Sequence, residues 1–366
     1  MSEYIVIGTI IAAFAVAAVL SYFFTPPVKN FAHKVGAIDV PKDARRMHKK
    51  PIPRLGGLAI YGGFLCSILI FGQLDETMLC VLLGAAIIVA LGIFDDVLAL
   101  GAKLKFVVQI VAAAIPVCIG NLQIGLFTNL NPLSDTPFVH LGILAVPVTI
   151  IWIVGITNAV NLIDGLDGLA VGVSSIAAIT MLAVALLTGN MPIAITMAAL
   201  AGACIGFMPY NLNPAKIFMG DTGSTFLGYI LATLYITGLF KMYAIISFAV
   251  PFLILGIPIF DICFAFLRRI AHGQNPMKAD RGHFHHRLID MGFSQKQSVA
   301  IAYMLTGMLG LAAVLLTSSG ELKALILIAA IFIVSAIGFR LIFSKNDPAE
   351  DASSPEPEEK QEEPHE

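Results

Sequence analysis

Residues 77–96 read TMLCVLLGAAIIVALGIFDD. The stretch up to Phe94 carries no charge. As a helix rising 1.5 Å per residue it is long enough to cross most of a hydrocarbon layer of about 30 Å. It then stops on two adjacent carboxylates, Asp95 and Asp96. A single segment in lipid must satisfy its backbone groups internally, so it is helical. Ionisable groups at the end of such a run are costly, and mark either the membrane interface or a site.

The rest of the chain repeats this pattern. It has 366 residues, 58% hydrophobic and 13% charged, with a mean hydropathy of +0.87. A soluble domain carries about 25% charged residues. Eleven spans are predicted: 4–24, 55–73, 77–94, 104–120, 142–160, 166–188, 192–209, 223–240, 243–267, 297–317 and 321–343. The expected fold is an all-α polytopic membrane protein of about eleven transmembrane helices, with residues 1–344 as one transmembrane domain. The first span lacks basic residues before it and a small-residue cleavage site, so it is expected to be retained. Residues 345–366 are rich in Glu, Pro and Ser and are expected to form a disordered acidic tail. The five cysteines sit in or beside apolar runs without a CxxC pair, which predicts packing roles and neither disulfide nor metal site.

Lys and Arg orient the chain. The 25–54 loop holds eight of them and the 268–296 loop six. Under the predicted parity, one side of the membrane carries 20 and the other only Lys241 and Lys323. The positive-inside rule makes the first side cytoplasmic, with the N-terminus outside and the C-terminus inside.

The unusual residues fall on that same side. In order they are Arg45 to Gly57 (RRMHKKPIPRLGG), Asp95-Asp96 with Lys103 and Lys105, Asn158 to Gly168 (NAVNLIDGLDG), Asn213 to Ser224 (NPAKIFMGDTGS) and Asp280 to Arg287 (DRGHFHHR). Four separate loops therefore place carboxylates on one face. Asp and Asn oxygens suit a hard cation such as Mg²⁺, which takes few protein ligands and completes its shell with substrate phosphates. Asp221 opens a helix between two glycines, and backbone N–H groups at a helix start favour anions. Lys49, Arg54 and Lys105 supply positive charge. The inventory describes phosphoryl transfer, which depends on positioning and charge neutralisation. No GxxxxGK[ST] motif is present, so the phosphate donor need not be ATP. The His283, His285 and His286 cluster allows ligand recognition, a structural role or a zinc ligand set, although no HExxH accompanies it. Asp261 lies inside an apolar segment and is read either as the partner of a loop arginine or as part of a site.

These motifs, in this order, resemble those of the polyprenyl-phosphate N-acetylhexosamine-1-phosphate transferases, glycosyltransferase family 4, over about residues 20–290 and the two closing spans. The resemblance implies transfer of a sugar 1-phosphate from a UDP-N-acetylhexosamine to undecaprenyl phosphate, with release of UMP and a need for Mg²⁺ or Mn²⁺. It implies that Asp221 ligates the metal with Asn161 beside it, and that Asp95 deprotonates or orients the lipid phosphate with Asp96 in support. Lys105 would meet the donor pyrophosphate. Asn158, Asp164 and Asp167 would shape the nucleotide pocket, His283, His285 and His286 would close over the donor, and Arg54 and Lys49 would hold phosphate charge. The branch that transfers phospho-N-acetylmuramoyl-pentapeptide differs in its loops. Its basic segment ends like TPTMGG where this chain has Pro51 to Gly57, and a Lys follows its acid pair where this chain has Ala99. The expected donor is therefore UDP-GlcNAc, and the expected role is the first lipid-linked step of an envelope polysaccharide such as wall teichoic acid. Expected partners are the UDP-sugar, undecaprenyl phosphate and the bilayer of the plasma membrane. A homodimer is compatible with this reading, and no nucleic acid is expected. A transporter is the rival class, but carriers place ionisable residues near mid-span and build on inverted repeats, and neither is evident here.

Overall fold

The computed structural model describes residues 3–41, 50–128, 138–239, 244–271 and 283–318. Among these the helices are α1 (Glu3–Val35), α2 (Gly57–Phe71), α3 (Glu76–Leu98), α4 (Ala102–Ala114), α5 (Ala145–Leu162), α6 (Leu169–Leu187) and α7 (Met191–Asn211). They continue with α8 (Gly220–Leu239), α9 (Ala244–Ile254), α10 (Gly256–Ala271), α11 (Phe284–Asp290) and α12 (Gln295–Thr317). Seven described helical stretches are long and apolar enough to cross a membrane. The protein is a multi-pass helical membrane protein, as its composition requires. The predicted spans up to residue 317 each fall on described helices. Span 321–343 and the acidic tail lie outside the described residues.

Two spans differ from expectation. α1 runs to Val35 rather than ending near residue 24. At 33 residues it is about 50 Å long, well beyond the hydrocarbon thickness. The predicted span 243–267 is broken at Leu255 into α9 and α10. Pro258 has no N–H to give to the preceding turn, so one apolar run becomes two helices. The loop between the fourth and fifth predicted spans contributes a short antiparallel pair, β3 (Leu126–Thr128) with β4 (Phe138–His140). An earlier pair, β1 (Ile38–Asp39) with β2 (Ile52–Pro53), follows α1.

The bundle is organised around α8, which packs against α2, α3, α5 and α6. Its side chains are buried on all faces, including Phe226, Tyr229, Ile230, Leu234 and Tyr235. Each tyrosine hydroxyl finds a carbonyl, Tyr235 that of Ala177 at 3.1 Å and Tyr229 that of Val81 at 3.3 Å. An unpaired hydroxyl at this depth would cost several kcal/mol. α7 packs against α1 through Gly202 and Gly206, where an added Cβ would come 2.2 Å from Phe14 O and 2.1 Å from Ala18 O. Lipid gives no hydrophobic drive between helices, so such close backbone approach replaces it.

Candidate active site

The N-terminus of α8 meets the C-terminus of α3, and the two acids of the pair divide there. Asp96 turns inward. Its carboxylate accepts from the N–H of Asp221 at 3.0 Å, the N–H of Thr222 at 3.0 Å and the hydroxyl of Thr222 at 2.7 Å. It is therefore the N-terminal cap of α8, supplied from another helix, and satisfies donors that no intrahelical carbonyl reaches. Gly220 makes this possible. Its φ is +70°, and a Cβ there would sit 2.4 Å from Asp96 Oδ2. The Asp96 side chain is 1% exposed, against 10% for Asp95 and 19% for Asp221. Only the latter two can reach a ligand. What Asp96 fixes in the structure is the position of Asp221 at the start of α8.

Asp95 turns outward. One oxygen accepts from the Leu100 N–H at 2.8 Å, closing the turn that follows α3. The other accepts from Lys105 Nζ at 2.8 Å, and Lys105 Nζ also donates to Asp221 Oδ2 at 2.9 Å. Two carboxylates from α3 and α8 thus converge on one cationic point held by α4. One turn further along α4, Gln109 is buried and accepts from Asn158 Nδ2 at 2.7 Å. Gln109 was missed in the sequence, although a lone amide four residues from Lys105 shares its helical face. Asn161, at the end of α5, accepts from Ser224 Oγ at 2.7 Å, which brings it to the first turn of α8.

Arg54 reaches the same place by strand-like pairing. The N–H groups of Gly56 and Gly57 donate to the carbonyls of Phe218 and Met219, each at 2.9 Å, and the Phe218 N–H donates to Pro53 O at 2.8 Å. The Arg54 N–H donates to Ala37 O at 2.9 Å. Arg54 Nε then lies 3.7 Å from Asp96 Oδ1. Lys49 lies outside the described residues.

The NLIDGLDG loop splits its roles. Asp167 Oδ2 accepts from Asn213 Nδ2 at 2.9 Å and the Ala215 N–H at 3.0 Å, so it latches this loop to the segment leading into α8. Desolvation pushes the Asp164 carboxyl up to about 8, the charge of Asp221 adding to the effect and that of Arg54 opposing it.

The histidines are seated on α10 and on this loop. Asp261 in α10 binds His283 Nδ1 at 3.0 Å and accepts from the Phe284 N–H at 2.6 Å. One described partner is thus a histidine, and Arg281, the arginine of the loop just before it, lies outside the described residues. His285 is buried, and its ring packs on Gly165. His286 lies 4.3 Å from it, ring centre to ring centre. Burial, with His286 next, pushes the His285 pKa down to about 3. The folded value lies below the unfolded value of about 6.5, so the unfolded chain takes the proton first. Stability present above pH 6.5 is lost as pH falls toward 3, by at most about 1.4 kcal/mol per unit. The thermal midpoint in lipid nanodiscs should therefore fall more steeply between pH 6.5 and 4.5 for the wild type than for His285→Phe. Parallel curves would remove His285 as the titrating group.

Fold and site together define an integral-membrane helical protein with a charged site where α3, α4 and α8 meet. A family model described as Glycosyl transferase family 4 matches residues 78–239, which carry Asp95, Lys105, Asn161 and Asp221. The chain is 42% identical over 329 residues, 90% of both chains, to a Bacillus subtilis protein named "probable undecaprenyl-phosphate N-acetylglucosaminyl 1-phosphate transferase". It is 34% identical over 328 residues, 81% of this chain and 80% of the relative, to a decaprenyl-phosphate N-acetylglucosaminephosphotransferase of Mycobacterium tuberculosis. A phospho-N-acetylmuramoyl-pentapeptide-transferase of Halalkalibacterium halodurans is 34% identical over a shorter 253 residues, 64% of this chain and 76% of the relative. The chain belongs to the polyprenyl-phosphate N-acetylglucosamine-1-phosphate transferase family.

Proposed function

We propose that the chain transfers N-acetylglucosamine 1-phosphate from UDP-GlcNAc to undecaprenyl phosphate, as the first lipid-linked step of an envelope polysaccharide such as wall teichoic acid. The observation that carries the reading is Lys105 held between Asp95 and Asp221, because it puts a cation and two reachable carboxylates at one point. The relatives matched over most of their length are named for GlcNAc phosphate transfer, and the match to the muramoyl-pentapeptide enzyme is shorter.

In this reading an oxygen of the lipid phosphate attacks the sugar-bearing phosphorus of the donor. A new P–O–P bond forms, and the bond from that phosphorus to the UMP oxygen breaks. A phosphate monoester has its second pKa near 6, so the nucleophile is mostly ionised at pH 7. The task of Asp95 is then to orient it more than to take a proton. Lys105 offsets the repulsion between the two phosphate groups. Arg54 adds charge from the other side, and Asp164 helps shape the nucleotide pocket.

The donor set fits Mg²⁺, with Mn²⁺ as the alternative ion. Its atoms are hard oxygens, two carboxylates already converge on a cation, and Asn161 is fixed beside the α8 start. Among the described residues no cluster of three or more His, Cys, Asp or Glu forms a metal cage. An ion here would be held by Asp221, with Asn161 beside it, and would complete its shell with phosphate and water. When bound it supplies positive charge against the pyrophosphate. The cytoplasmic assignment of this face, with the N-terminus outside, rests on the 20-to-2 division of Lys and Arg.

Purified protein given UDP-GlcNAc, undecaprenyl phosphate and Mg²⁺ is expected to release UMP, and chelation of the metal should stop it. UDP-N-acetylmuramoyl-pentapeptide run in parallel should give little. No UMP from UDP-GlcNAc would overturn the reading, and preference for the muramoyl donor would move the chain to the other branch.

A further inference from the structure

Asp261 belongs to none of the motifs that the function absorbs, yet it is 3% exposed within the apolar run IPIFDICFAF of α10. A buried carboxylate persists only where its oxygens are satisfied. Both are engaged by the start of α11: Oδ2 by His283 Nδ1, Oδ1 by the Phe284 N–H. His283 is the residue that precedes α11, and its own side chain makes no cap. Phe284 carries an N–H that no intrahelical carbonyl reaches. Asp261 therefore does two things at once. It caps α11 from a neighbouring helix and fixes the plane of the His283 ring, as a carboxylate behind a ligand histidine does.

The consequence is felt two residues on. His285 is buried, and among the described residues neither of its ring nitrogens has a hydrogen-bond partner. Its ring lies so near the backbone of the loop that a Cβ on Gly165 would come within 2.2 Å of Nε2. Gly165 adjoins Asp164, whose carboxyl feels the charges of Asp221, Arg54 and Asp96. A continuous contact path thus runs from Asp261 through α11 to the loop at the charged site.

We propose that Asp261 is a positioning residue for the nucleotide-sugar donor: its carboxylate seats α11 so that the histidine helix bears on the Asp164–Gly165 turn. This rests on the transferase reading above. The seat acts on donor binding, not on the lipid phosphate, because α11 touches the loop side of the site.

The test is a KM-against-kcat comparison of Asp261→Ala, Asp261→Asn and the wild type, with UDP-GlcNAc and undecaprenyl phosphate varied separately. Asp261→Ala removes both charge-assisted bonds and should raise KM for UDP-GlcNAc about tenfold or more, with KM for the lipid within about twofold. Asp261→Asn keeps an acceptor for the Phe284 N–H and should fall between. The double variant Asp261→Ala/His283→Ala should be no worse than the poorer single variant, since the two residues act as a unit. A merely structural role would lower the amount of active enzyme and so kcat, leaving KM unmoved. If Asp261→Ala does not fold, Asp261→Asn decides alone. Wild-type KM for UDP-GlcNAc in Asp261→Asn, or an equal rise in both KM values, overturns the proposal. A wild-type protein that releases no UMP would instead sink the transferase reading itself.

Discussion

Asp221→Ala is expected to lower turnover by about a thousandfold or more while the protein still inserts and folds. The side chain is 19% exposed and its Oδ2 is directed at Lys105, so its charge serves the site and not the packing of α8. Under the proposed mechanism this charge would steady a metal and a developing phosphate, and its loss would be worth several kcal/mol in the transition state. The fold should survive, because the cap of α8 is made by the Asp221 backbone N–H, which alanine keeps. UMP release and the thermal midpoint, measured on the same preparation, check both halves. Near-normal activity would remove Asp221 from the site, and a collapsed midpoint would mean that its charge is structural.

Asp96→Ala should behave in the opposite way. Three donors at the start of α8 lose their acceptor, and Arg54 loses the carboxylate 3.7 Å from its Nε. The expected cost is about 3 kcal/mol of stability. Activity should fall on the order of a hundredfold, because a shift of about 1 Å in Asp221 is enough for that. Asp95→Ala, one residue away, should reduce turnover with a much smaller change in thermal midpoint. Equal midpoints for the two alanine variants would show that Asp96 does not cap the helix.

The contrast between these neighbours marks what the sequence can and cannot say. That both acids sit at the end of an apolar run is legible in residues 77–96, and so is the helical class of the whole chain. Which acid faces inward is not, because it depends on where α8 begins relative to α3, a tertiary fact with no local signal. Pro258 did carry a signal for the break at Leu255, but an apolar run of this length overwhelms it in a hydropathy reading. Asp261 was visible as an anomaly, whereas its partner, 22 residues away across a polar loop, was not. Asp167 likewise reads as one loop acid among several, and only the Asn213 and Ala215 contacts reveal that it fastens two loops together.

The segment around Arg54 bears on how donor choice could be altered. Residues 52–57 are stitched on one side to 37–39 and on the other to 218–219 by main-chain hydrogen bonds. An inserted or deleted residue in any of the three strips would shift the registration of the other two, and with it the Gly220–Asp221 turn. Transplanting the basic segment of a different branch by itself would therefore carry a mismatch into the heart of the protein. The three strips would have to be moved together, as one cassette.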